Sequence, residues 1–204
     1  FATRSSIPGL LKPAADQAYR NPLMALVTVF STLRQQSFRL LFYTIVIVMS
    51  VAGMTQALMV YLASYIFGFA PEQLGLLAAS LLIGILMASM VAQIFSRRMD
   101  KKRAFACCIF IGSIISFTPV MLYLIDTLKL LSANEKFMLV FLCNGVSQGF
   151  FIAAIILLDS MLTDTIDEHQ MRCGRREEGL FFAAKSLAQK ASFGLGVLFS
   201  GLAL

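Results

Sequence analysis

"TDTIDEHQMRCGRREEGLFFAAKSLAQK", residues 163–190, changes character partway along. Up to Gly179 it holds eight charged residues and the chain's only histidine, His169. Beyond that point an apolar run begins, and two cations, Lys185 and Lys190, lie inside it. The preceding stretch, "FFIAAIILLDSML" (150–162), is also apolar apart from Asp159 and Ser160. Charge concentrated between two runs long enough to cross a bilayer reads as a connection between membrane-spanning helices, which need ~20 apolar residues each.

Composition agrees with that reading. The 204 residues are 58% hydrophobic and 14% charged, with a mean hydropathy of +0.80. Soluble domains run at roughly 45–50% apolar and about 25% charged. A water-soluble fold of this size would leave large apolar patches exposed. The chain is therefore read as an all-α integral, multi-pass cell-membrane protein with the lipid bilayer as its main partner. The net charge of +6 resides mainly between the apolar runs, where lysine and arginine collect on the cytoplasmic side, so nucleic-acid binding is excluded. Cys107, Cys108, Cys143 and Cys173 show no paired spacing. With a single histidine they suggest neither a metal nor a haem site, and no cofactor is expected. Phe1 opens the chain with no signal-peptide pattern, and "GLAL" closes it inside an apolar run. Both ends read as cuts through a longer protein.

Five segments have the length and apolarity of spans: 40–67, 74–95, 104–125, 137–162 and 180–204. Only helices satisfy every backbone hydrogen bond in lipid at such lengths. Residues 1–39 form a linker punctuated by Pro8, Pro13 and Pro22, then an interfacial helix over "NPLMALVTVFSTLRQQSFR". "SRRMDKKRA" (96–104) carries five basic residues, whereas "GFAPEQLG" (68–75) carries none. The positive-inside rule thus assigns the linker and the 96–103 and 163–178 connections to the cytoplasmic side. Gly145-Val-Ser-Gln-Gly149 is a spacing that lets two helix backbones approach closely, and Pro119 predicts a kink in the third span.

Charges inside the spans are the candidate functional groups, because each costs about 2.5–3.5 kcal/mol on insertion scales. Asp159 lies five positions before Asp164, ~7.5 Å deeper along a helix. It reads either as a carboxylate lining a water-filled path or as one near the interface, hydrated or paired with arginine. Lys190 falls ~16 Å beyond Gly179, near the midplane, and needs an anionic partner or water. Lys185, less deep, is expected to snorkel back to the interface. Ser186 and Lys190 are four apart and share a helix face. Asn144 and Gln148 form a similar pair, suited to interhelical hydrogen bonds or to solute contact.

The stretch "DTIDEHQMRCGRREEGLFFAAKSLAQK" also resembles the signature between the tenth and eleventh helices of the glycoside–pentoside–hexuronide:cation symporters. These form the melibiose-permease-like branch of the major facilitator superfamily. The matching positions are Asp164, Asp167, Gly174, Arg176, Glu178 and Lys190. "STLRQQSFRLLF" and "RRMDKKRA" are similar to weaker marks of the same family. The resemblance implies a fragment covering about helices 7–11 of 12, most of the C-terminal half of a major-facilitator bundle. It implies Lys190 and Ser186 near the solute and cation path, and a cytoplasmic gate network drawn from Asp164, Asp167, Arg175, Arg176 and Glu178. It further implies that the N-terminal six-helix half, the partner of this bundle, supplies most of the ligands for a coupling cation, Na+ or H+. Asp100 departs from the glycine that relatives often carry there. Glu168 and His169 stand in place of a Tyr-Gly pair, which detaches melibiose itself from the expectation.

Taken together the sequence predicts cation-coupled symport of a sugar or related small polar solute by alternating access, and not an enzyme. The alternatives are a lysolipid or other non-sugar carrier of the same family, or a membrane sensor or scaffold that transports nothing.

Overall fold

The structure, a computed structural model, describes residues 36–126, 130–173 and 178–204. Five long helices account for nearly all of them: α1 (Gln36–Tyr61), α2 (Pro71–Arg98), α3 (Lys101–Leu124), α4 (Ala133–Cys173) and α5 (Glu178–Ala203). At its far end α1 widens into a π-helical turn, Leu62–Ile66, in which the Phe67 N–H donates to the Leu62 carbonyl at 2.9 Å. Among the described residues four helices are long and apolar enough to cross a membrane: Phe38–Ile66, Pro71–Arg98, Lys101–Leu124 and Ala133–Glu168. The fifth expected span, α5, has the length at 26 residues but is less apolar, diluted by Lys185, Ser186, Gln189 and Lys190.

Local chemistry sets the helix starts. Pro71 opens α2 at the first helical position, where its missing N–H leaves no bond unmade. The Gln73 side-chain oxygen accepts the Ala70 N–H at 3.0 Å. Glu72 in the first turn and Arg97 and Arg98 in the last match the helix dipole. Before α4, Glu135 accepts both the N–H and the hydroxyl of Ser132 at 2.8 Å, and the Ser132 hydroxyl accepts the Glu135 N–H at 3.4 Å. That reciprocal arrangement is a capping box.

One boundary departs from the sequence reading. The connection expected from residue 163 is helical through Cys173, so α4 is 41 residues long, about 60 Å. That exceeds a ~30 Å hydrocarbon core, and one end of α4 must project beyond it. Charge alone does not stop a helix. Neither proline nor glycine occurs between Phe150 and Cys173 to break the run.

Helix α4 is the hub, with α2 and α3 lying along it, while α1 lies along α5. Small residues set both close approaches. A Cβ on Gly84 would stand 3.0 Å from the Gly149 amide of α4. A Cβ on Gly196 of α5 would run into the Ser50 carbonyl of α1, and one on Gly53 into the Phe193 carbonyl. Ala92, Ala104, Cys108, Ala153, Ala154 and Leu157 fill the space between α2, α3 and α4. Two further clusters join α1, α4 and α5. Phe38 and Phe181 meet edge to face at 4.7 Å beside Leu162 and Ile166, and Ile45 and Met49 pack with Leu158 and Ala188. Leu86, Met90, Phe110 and Ile114 stand exposed on the outer surface, as a bundle solvated by lipid or covered by further helices requires.

Candidate functional site

Helix α5 has two unlike faces. Phe181, Ala184, Lys185, Ala188, Ser192, Gly196 and Ser200 are buried at three- and four-residue spacing, the period of one helix face. Ser186 and Lys190 lie on the opposite, exposed face together. Lys190 stands ~18 Å along the helix from Glu178. Among the described residues its ammonium makes no ion pair or hydrogen bond. A cation on an otherwise apolar face, where Leu187 and Phe193 are also exposed, needs a covering of water or of polar protein groups.

Lys185 behaves differently from expectation. It does not snorkel: only 8% of it is exposed, and its ammonium forms an ion pair with Asp159 of α4. The Asp159 Oδ1 that meets it is sealed from solvent, while the side chain as a whole is 38% exposed. The Phe182 ring lies 6.0 Å from the same ammonium, within cation–π range. Reaching back to the interface is outcompeted because α4 offers a carboxylate within the lysine's reach. Asp159 is thus paired, to a lysine of the next helix and not to an arginine.

The amide pair of α4 points into the bundle. Asn144 Nδ2 donates to Ser80 Oγ of α2 at 2.9 Å, and Ser80 is fully buried. Gln148 Nε2 donates to Gln56 Oε1 of α1 at 3.4 Å. One turn of α4 therefore reaches both α2 and α1 through neutral amides.

At the charged end, Lys101 Nζ donates to Asp164 Oδ2 at 2.5 Å, tying the start of α3 to α4. Asp167 is exposed, Glu168 is partly buried, and Glu178 opens α5. Arg175 and Arg176, expected in the same network, lie outside the described residues. A cleft of about 900 Å³ opens here between α1, α3 and α4, lined by Lys101, Lys102 and Arg103 together with Asp100, Asp164 and Glu168. Among the described residues no cluster of histidine, cysteine and carboxylates could hold a metal ion.

The helices, the glycine seams and the charges set within apolar helices agree with one comparison. The family model for MFS/sugar transport proteins matches residues 1–204, the whole chain. The chain belongs to that family. A relative from Synechocystis sp., named an uncharacterized symporter, is 28% identical over 151 residues. The aligned part is 74% of this chain and 26% of the relative, so the chain matches about a quarter of that protein's length. No solved structure matches significantly. Membership makes this all-helical assembly part of a major-facilitator bundle and places it with transporters and not with enzymes.

Within this family member, two pairings were not foreseen from the sequence. Lys101 was visible only as one basic residue among five in its connection, and nothing marked it as the partner of Asp164. The Asp159–Lys185 pairing had a usable signal: opposite charges at similar depths in two spans joined by one connection.

Proposed function

We propose that this chain is the C-terminal bundle of a secondary active transporter that carries a sugar or related small polar solute in symport with Na+ or H+. The single observation that carries the reading is the exposed face of α5, where Ser186 and Lys190 stand together within a largely apolar helix. A family described by sugar transport and a relative named a symporter support it. In this reading the N-terminal six-helix half covers that face, and the solute and coupling cation occupy the space between the halves. The linker and the 96–103 and 163–178 segments lie on the cytoplasmic side, where their basic residues are retained. Lys101–Asp164 then belongs to an inner gate that opens and re-forms as the halves rock, so its bonds are individually weak.

Lys190 is the residue on which this reading stands. In the full-length protein, Lys190→Ala abolishes solute uptake driven by an imposed cation gradient while membrane abundance stays at the wild-type level. Uptake at the wild-type rate in that variant overturns the assignment.

A further inference from the structure

The buried stripe of α5 is made of small residues apart from two side chains. Ala184, Ala188, Ser192, Gly196 and Ser200 let the helix lie close to α1, but the interlock that fixes it there, Gly196 with Ser50 and Phe193 with Gly53, lies beyond Lys190 and leaves the first turns of α5 to other contacts. Phe181 and Lys185 are the two large side chains on the stripe. Phe181 meets Phe38 of α1 edge to face and packs on Leu162 and Ile166. Lys185 is held by a charge of fixed position, Asp159, across to α4. Few backbone contacts join α4 and α5, so this ion pair is a main directional tie between them. Ser186 is the next residue along the chain, and it is on the open face with Lys190.

We propose that Asp159 and Lys185 are positioning residues: their ion pair holds the first turns of α5 against α4 and so keeps Ser186 and Lys190 on the face that the transport path uses. The inference rests on the transporter reading for its purpose, but not for its geometry. Asp159 and Lys185 touch no solute in this account. They act through the helix that carries the groups which do.

The test uses the full-length protein in a cysteine-free background with Ser186→Cys as a reporter of the open face. Its rate of modification by a membrane-impermeant methanethiosulfonate is measured beside solute uptake. Asp159→Asn leaves the buried Lys185 ammonium unpaired and Lys185→Gln leaves the sealed Asp159 Oδ1 without its cation, so each should change the modification rate about fivefold or more and lower maximal uptake about tenfold. The charge exchange, Asp159→Lys with Lys185→Asp, leaves no unpaired charge and should restore both to within about threefold. A modification rate unchanged in the two single variants overturns the proposal. So does an exchange variant that inserts normally yet labels like the singles. If the singles fail to insert, the exchange variant decides alone: wild-type labelling supports the pair and altered labelling refutes it. Because labelling needs no transport, expected labelling with no uptake of any solute by the parent protein would retire the symporter reading and leave the positioning role standing.

Discussion

Two kinds of helix seam coexist in this bundle. Along α2–α4 and α1–α5, contact is neutral and backbone to backbone: Gly84 against Gly149, Gly196 against Ser50, with Asn144 bonded to Ser80. Toward the other end, α4 meets α5 and α3 through ions: Asp159 with Lys185, and Asp164 with Lys101. The glycine seams have one register, because any sliding drives a side chain into a carbonyl. The exposed Asp164–Lys101 joint has no such lock, since its carboxylate can be handed to another cation, or to water, without repacking a core, whereas the buried Lys185 holds Asp159 more firmly. The proposed carrier, moving as rigid halves, would use both kinds, seams that stay closed and an exposed joint that parts.

The strongest challenge to the fixed seams is Gly196→Val. Its Cβ would overlap the Ser50 carbonyl, and backbone cannot swing aside as a side chain can. Overpacking of this kind costs about 1–3 kcal/mol and occasionally more, and here the upper end is expected. Thermal unfolding of the detergent-solubilised protein should show a large loss of stability or no folded protein at all. Near-wild-type stability would mean that α1 and α5 are separable, and the contrast between seams would dissolve.

How far the sequence foretold these seams depends on what each rests upon. Helices and their approximate spans were legible, because lipid permits no other backbone and demands about 20 apolar residues per crossing. The close approach at Gly145 and Gly149 was legible from spacing alone. The exposed pairing of Ser186 with Lys190 followed from helix periodicity. The extent of α4 was not legible, because "TDTIDEHQMRC" is charged, and charge was read as loop although none of its residues breaks a helix. Nor was the fate of Lys185. Whether a lysine snorkels or pairs depends on which face of α5 meets α4, and that is decided by Phe181, Ala184 and Ala188 packing against residues far away in sequence.

A smaller effect sharpens the neutral side of the comparison. Ser80→Ala removes the acceptor of the Asn144 amide and leaves a partly buried donor without its partner. Interhelical hydrogen bonds of this kind average about 0.6 kcal/mol and reach about 1.7 kcal/mol, and the buried Ser80 suggests a value near 1 kcal/mol. Comparing unfolding midpoints for Ser80→Ala and Gly84→Val, whose Cβ would stand 3.0 Å from the Gly149 amide, separates polar bonding from shape within that seam. Shape should dominate. Equal losses would show that the amide, and not the glycines, holds α2 to α4.

The smallest effect belongs to the outermost joint, and its smallness is the point. Lys101 and Asp164 are 40% and 60% exposed at the side chain, so their attraction acts through a medium close to water and is screened by salt within about 8–10 Å. Exposed pairs contribute about 0.2–1 kcal/mol. Lys101→Ala should therefore leave the unfolding midpoint nearly unchanged, and the small difference from the parent should vanish as ionic strength rises. Yet the pair joins α3 to α4 across a cleft that both helices line, so its loss should be visible in how often that cleft opens. A cysteine at Thr165, which is buried and lines the cleft, should react faster with a thiol reagent once Lys101 is gone, and equally fast in parent and variant at high salt. A loss of stability comparable to that of Gly196→Val, or a rate insensitive to salt, would place this joint among the fixed seams and remove the charged end from any gating role.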